Sequence, residues 1–265
     1  MTTDSTLATA LQRRPPRNGG FSPTILRLEI RRRLRNRRTV IFSFVLPVVF
    51  YLGFGLNNSY TGQRIVHGNV SAFVMISLAL YGAVASTSNG GAVVSIERAA
   101  GWSRQLRVTP LSPWAYIVTK ILTSLVLGAG SVGAVYVLGA ITNKASMPTH
   151  LWVITALCVW IGSLLFAAFG LFFGYLLPPE NVMQIMGILL TLCAFGGGLF
   201  IPISQFSSPV RRLATYTPLF GLNELVHFPL VGGPFNWTWM ANILAWLVIF
   251  SAGAAWRLRR DTTRV

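Results

Sequence analysis

The sequence predicts an all-α integral membrane protein with six transmembrane helices, and three observations carry that prediction. Of its 265 residues, 53% are apolar and only 11% are charged, against about 25% charged in a typical soluble domain. Six apolar runs are long enough to cross a hydrocarbon core of about 30 Å, which takes roughly 20 residues of helix. The formal charge of +16 lies mostly outside those runs, with ten of the 22 basic residues before Thr39 and four after Trp256. Basic residues placed in this way orient a membrane protein and hold its ends at anionic headgroups. The lipid bilayer is therefore the expected surrounding. No aromatic–basic platform of the kind single strands need is present, so no nucleic-acid partner is expected.

Residues 1–23 are polar, with Arg13, Arg14, Pro15, Pro16 and Arg17, and are expected to form a disordered tail. They lack the apolar stretch and small-residue cleavage site of a secretory signal, so the first span is expected to direct insertion. Residues 24–38 (TILRLEIRRRLRNRR) place Leu26, Ile30 and Leu34 on one stripe, among seven arginines that include Arg33, and Glu29. That pattern predicts an interfacial amphipathic helix, apolar face in the headgroup region, running into the first span.

The spans are expected at about 39–56, 69–95, 116–142, 151–177, 182–200 and 237–256. The second, third and fourth are long enough to tilt. The first is short and contains Pro47, which a span tolerates only with help from its neighbours. Between spans two and three, Glu97, Arg98, Arg104 and Arg107 keep the segment 97–113 out of the bilayer. No proline interrupts Arg98 to Val108, and Trp102 and Leu106 fall on one face of a helix. Pro110 and Pro113 then stop that helix and turn the chain back. A short helix held tightly between two spans suits a docking surface.

Residues 201–236 follow Gly196, Gly197 and Gly198 and contain Pro202, Pro209, Pro218, Pro229 and Pro234. The apolar pieces between these prolines are too short to cross, which predicts re-entrant helices before span six, packed within protein. Residues 257–265 form a second basic tail. With the N-terminus inside, the inner segments hold 17 Lys and Arg, while the outer ones hold Arg64, Lys144, Arg211 and Arg212. This bias places both termini and the 97–113 segment in the cytoplasm.

Several chemistries have no residues to carry them. No GxxxxGK[ST] loop occurs, so the chain is not expected to hydrolyse nucleotide. His67, His150 and His227 are dispersed, and Cys158 and Cys193 fall in apolar runs as small hydrophobes, so no metal site is expected. A GxSxG elbow is missing. No carboxylate sits near the centre of a span, which argues against a proton relay. The polar stretch 86–91, with Ser88 and Asn89, suits either small-residue helix packing or a polar vestibule. Gly170 and Gly174 form a GxxxG pattern that is either incidental or a dimer contact. Glu224 either faces outer water or pairs with Arg211 or Arg212, or else serves an outer gate with Pro202 and Pro218.

Taken together, these features resemble the type-2 ABC-transporter permeases, above all the daunorubicin-resistance branch. The resemblance covers about residues 25–256: six spans, a basic amphipathic helix before them, and a proline-rich region before the sixth. Its most specific part is an E-R-x-x-G…L-x-x-x-P-L-S pattern, matched by Glu97, Arg98, Gly101, Leu106, Pro110, Leu111 and Ser112. Trp102 departs from it, since the family usually has a small or hydroxyl residue there.

The resemblance implies that Glu97, Arg98, Gly101, Trp102, Leu106, Arg107, Pro110 and Leu111 form a coupling helix that docks on a separate ABC ATPase. The helix with Leu26, Ile30, Arg33 and Leu34 is then the connecting helix beside it. It further implies a homodimer or heterodimer of permeases in the plasma membrane with two ATPase copies. ATP and magnesium would sit on those copies and none on this chain. The subunit is then expected to have no catalytic site of its own and to export an amphiphilic drug-like or lipid-like cargo, with Ser88, Asn89, Pro202, Pro218 and Glu224 as candidates for its path or outer gate. The rival expectations are a permease for polysaccharide or glycolipid, an ATP-independent secondary transporter, and a lipid enzyme using Glu224, His227 or Arg211/Arg212.

Overall fold

The computed structural model describes residues 20–56, 62–101 and 112–263. The coupling-segment residues Trp102, Leu106, Arg107, Pro110 and Leu111 lie outside the described residues, as does most of the N-terminal tail. Helix α1 (Pro23–Leu34) starts where the Ser22 hydroxyl accepts the Thr24 N–H and Pro23 takes the first helical position. The sequence predicts helix through residue 38, but the chain leaves it at Arg35 and Asn36 and re-enters at Arg37–Val40. Asn36 causes the restart: its side-chain oxygen accepts the Thr39 N–H as a cap.

The first apolar helix, α2 (Ile41–Gly55), is irregular: π-helical at Ile41–Val45 and Tyr51–Gly55, with one α segment, Leu46–Phe50, between. Pro47 sits in that middle segment and has no N–H to offer the turn before it. The far end of α2 is tied down instead by side chains. The buried Tyr51 hydroxyl donates to Ser71 Oγ at 3.0 Å, and Ser71 donates to the Gly55 carbonyl at 2.7 Å.

One small element departs from the all-α expectation: Arg64–Ile65 (β1) pairs antiparallel with Gly68–Asn69 (β2). Asn69 then caps the next helix and pins a second loop. Its Oδ1 accepts from Ala72 N (2.9 Å) and Ser146 N (3.0 Å), and its Nδ2 donates to the Lys144 carbonyl (2.6 Å). Asn69→Ala removes all three bonds and is expected to cost about 3 kcal/mol, a cap plus two part-buried hydrogen bonds of about 1 kcal/mol each. A detergent-solubilised melt checks this; an unchanged midpoint would show that the corner holds without Asn69.

Helix α3 (Val70–Ala99) is the centre of the bundle, flanked by α4 (Pro113–Thr142) and α6 (Leu164–Leu176). Small residues let both neighbours approach closely, as expected for helices packed within lipid. Along the antiparallel α3–α4 contact, Ser131 lies over Gly82, Ser124 over Gly90, Thr87 against Gly128 and Met75 against Gly139. On the other side, Gly170 and Gly174 of α6 press onto Ser88, Gly91 and Ala92 of α3, backbone to backbone. The GxxxG pattern is thus spent on a contact inside the chain.

The sequence's fourth span is two helices, α5 (Thr149–Gly162) and α6, joined at Ser163, whose hydroxyl donates to the Trp160 carbonyl at 2.6 Å. A glycine–serine pair is a common site for such a kink. Helix α7 (Val182–Gly196) buries Val182, Met186, Leu190 and Ala194, a stripe at four-residue spacing. It stops short of residue 200 because Gly197 and Gly198 turn the chain, Gly198 at φ +78°. The proline-rich region forms α8 (Ser208–Ala214) and α9 (Phe220–Val231), and the chain ends in α10 (Trp237–Thr263). Phe250 of α10 packs edge-on against Phe169 and tilted against Phe172 and Phe173 of α6.

Among the described residues, four helices are long and apolar enough to cross a membrane: Val70–Ala99, Trp114–Thr142, Thr149–Leu176 and Trp237–Leu258. Ile41–Gly55 and Val182–Gly196 are apolar but shorter; 15 residues of α-helix reach about 22 Å, less than a hydrocarbon core. The six apolar runs are all helical, and two fall below a full crossing.

Candidate functional site

Three helix ends meet at one end of the bundle, and nearly all the described acid–base pairing gathers there. The last turn of α3 brings Glu97 and Arg98. The first turns of α4, capped by the Ser112 hydroxyl accepting the Ala115 N–H at 3.1 Å, bring Tyr116 and Lys120. Helix α1 lies across them and brings Glu29, Arg32 and Arg33. We refer to this as the basic end and to the opposite one, with β1 and β2, as the hairpin end.

Lys120 is the hub. Its ammonium donates to Glu29 Oε1 at 2.6 Å and to Glu97 Oε1 at 2.7 Å. Arg32 pairs with the same two carboxylates, reaching Glu29 at 3.3 Å and also binding Glu97. The second oxygen of Glu97 accepts the Tyr116 hydroxyl. Arg33 reaches Glu29 at 3.5 Å and the Gly90 carbonyl of α3 at 3.5 Å, while its Nε makes no hydrogen bond. The cluster has a dry side and a wet side. Lys120 is 5% exposed, Glu97 10% and Glu29 12%, whereas Arg32 is 54% exposed. A buried ion must be paired and hydrogen-bonded to be tolerated, and here Glu97 has two cations and Glu29 three.

The end of α3 is also tied to the end of α6. Ser95 donates to the Leu177 carbonyl at 2.7 Å, and Arg98 donates to the Tyr175 carbonyl at 3.2 Å with its guanidinium over the Tyr175 ring. Gly101 closes the helix at φ +79°, a conformation that favours glycine. The segment 102–111 thus springs from two anchored helix ends.

This geometry revises several expectations. Glu97, expected in the docking loop, is buried against Lys120 and Tyr116, where neighbouring cations pair its charge. In α1 the packed face carries Glu29 and Arg33 with Leu26 and Ile30 half-buried, while Leu34 turns outward at 48% exposure. Lys120 was missed altogether. The charge tally that puts 17 basic residues on one side and four on the other leaves one of the 22 over, and that residue is Lys120. A lone lysine two turns into an apolar run, in a chain with six acidic residues, was the available signal.

The residues assigned to a path or gate do not form one cluster. Ser88 is fully buried in the α3–α6 crossing and Asn89 half-buried beside it, which is the packing reading of that stretch. Pro202 starts an exposed 3₁₀ turn (Ile203–Gln205), and Pro218 is half-buried between α8 and α9. Glu224 is half-buried on α9 with no ion pair among the described residues, and burial raises its carboxyl above the ordinary range. Arg211 donates instead to the Ser204 and Phe206 carbonyls. Next to Glu224, Asn223 donates to the Gly197 and Gly198 carbonyls at 3.2 Å. His227 donates through Nδ1 to the Asn223 carbonyl at 2.8 Å, leaving Nε2 to accept from Ser77 at 3.0 Å, and stacks on Phe73. These bonds fasten α9 to both α7 and α3.

The cluster thus sits at the root of segment 102–111, where the basic ends of α3 and α4 meet α1. The profile of the ABC-2 type transporter family matches residues 23–227, which include every residue of the cluster. A protein of Bacillus subtilis (strain 168) named "Putative transport permease YvfS" is 26% identical over 229 residues, covering 84% of this chain and 90% of that protein. The chain belongs to the ABC-2 type transporter family and is a multi-pass membrane permease, a transport subunit of an ABC transporter.

Proposed function

We propose that this permease is the membrane half of an ATP-driven exporter, moving an amphiphilic drug-like or lipid-like cargo outward across the plasma membrane. Family membership implies association with an ABC ATPase, and the observation that carries the reading further is the anchored root of segment 102–111. Trp102, Leu106, Arg107, Pro110 and Leu111 present the docking surface, and Gly101 sets its exit angle. Two ATPase copies serve a pair of permeases and hold the ATP and magnesium. The basic end faces the cytoplasm, since 17 of the Lys and Arg residues lie on that side. Few fixed charges are available to recognise a strongly ionic cargo, which supports an amphiphilic one. Pro202, Pro218 and Glu224 are the residues this reading assigns to an outer gate.

Co-expression with an ABC ATPase tests this reading. A complex is expected to co-purify in mild detergent, and in liposomes it should drive ATP-dependent movement of a fluorescent amphiphile. Cysteine labelling is expected to find position 103 reactive from the cytoplasmic side and position 207, which is exposed at the start of α8, from outside. The reverse labelling overturns the orientation. A chain that moves solute in liposomes without any ATPase is a secondary transporter.

A further inference from the structure

The charge cluster does more than neutralise itself, because its members come from three separate elements. Glu29 belongs to α1, Glu97 to the end of α3, and Lys120 to the start of α4. Lys120 touches both carboxylates at once, at 2.6 and 2.7 Å, and Arg32 spans the same two from the other side. The four side chains therefore close a ring. Its two cationic edges are unequal. The Arg32 edge is more than half exposed, where water screens it and an ion pair adds little. The Lys120 edge is buried, where each ion is costly to separate from its partners.

What lies on either side of α1 matters equally. Toward the first span, the helix is broken at Arg35 and Asn36, and α2 then alternates π, α and π turns around Pro47. Departures from regular α-helix of this kind recur at hinges and functional sites. So α1 is held firmly to α3 and α4 by ions and joined loosely to the span that follows it.

We propose that Lys120 is a positioning residue for energy coupling: by gripping Glu29 and Glu97 together, it makes α1 and the basic ends of α3 and α4 one body. A push delivered at segment 102–111 is then carried to α1, and the compliance is taken up in the broken helix between Arg35 and Gly55. This inference rests on the permease reading for where the push comes from, but not for the clamp itself. Glu97, first residue of the loop pattern, acts through Lys120 and not by touching a partner.

Hydrogen–deuterium exchange on the full chain tests the clamp, first alone in nanodiscs and then with its ABC ATPase before and after ATP with magnesium. In the native protein, α1 is expected to exchange as slowly as the last turn of α3 and to respond to ATP together with it. Lys120→Met should speed exchange in α1 at least about tenfold while leaving α9 and the hairpin end unchanged, as for a local opening. In the complex it should abolish the ATP response of α1 and keep that of α3. Lys120→Arg, which retains the charge, should restore most of the protection.

Glu29→Gln leaves Lys120 paired with Glu97, should loosen α1 alone, and decides the matter if Lys120→Met fails to accumulate. Native protection of α1 in Glu29→Gln or Lys120→Met overturns the inference. So does loss of protection across the whole bundle, which would make Lys120 a general staple of the fold. Failure to find any ATPase that binds would count against the ATP-driven exporter reading, while the exchange in nanodiscs would still decide the clamp.

Discussion

Gly170→Leu is expected to remove most of the folded protein from the membrane. A side chain at residue 170 would run into the carbonyl group and Cα of Ser88, and these are backbone atoms of the central helix with no rotamer to offer. Gly91 meets the Leu171 amide in the same crossing, and a Cβ at Gly174 would stand 2.8 Å from the Gly91 carbonyl. Overpacked cores usually lose about 1–3 kcal/mol by shifting side chains; here whole helices must separate, so the loss should exceed that. Gly133→Leu is the control, since nothing lies within 4 Å of its added Cβ and the position is exposed. Detergent melts followed by size-exclusion profiles read both. A monodisperse Gly170→Leu protein with the native midpoint would show that α3 and α6 do not cross as described.

Gly101→Val is expected to have an equally large effect on transport with little on folding. At φ +79° a β-branched residue is strained, by an amount above the roughly 1–2 kcal/mol that ordinary L-residues pay in left-handed backbone. Among the described residues nothing lies within 4 Å of an added Cβ, so the strain expected is that of the backbone conformation. The chain relieves it by turning at a different angle, and the proposed docking segment leaves α3 in the wrong direction. Transport per ATP hydrolysed should fall about tenfold or more, the equivalent of at least about 1.4 kcal/mol of lost coupling. The melt midpoint should move by only a few degrees. Reconstituted complexes measured for both ATP hydrolysis and amphiphile movement give the ratio. A variant that transports at the native ratio sinks the docking role of this segment.

Length and hydropathy made much of the fold legible. The apolar runs became helices, and the proline-punctuated region became short helices because proline and glycine leave few other options. Periodicity failed where lipid replaces water as the surroundings. In α1, the leucine stripe predicted one buried face, yet Leu34 is turned out and Glu29 and Arg33 are turned in. In water that exchange would be unfavourable. Beside lipid an exposed leucine costs nothing, whereas an unpaired carboxylate costs a great deal. The same reason hides the facing of α10, whose Leu244, Val248 and Ile249 are all exposed.

Partner choice was also out of reach. A GxxxG pattern states that a close approach occurs and does not say to which helix; here the partner is α3 of the same chain. Lys120 is hard to see in the sequence because a long apolar run absorbs one lysine, and because its two carboxylates lie 91 and 23 positions away. Of the residues singled out for docking, the structure places Glu97, Arg98 and Gly101, and gives the first two inward-facing bonds. The shape of a site made of three distant helix ends is a property of the packing, which no local pattern encodes.

The ring around Lys120 also has a history in time. A ribosome makes α1 first, then α3, then α4, so Glu29 and Glu97 are already at the membrane when Lys120 emerges. A lone lysine in an inserting helix carries a penalty of about 2.5–3.5 kcal/mol at its centre, less near the ends. Each newly made α4 thus finds its counter-ions waiting, and the chain inserts its most awkward residue only after the means to neutralise it has been synthesised.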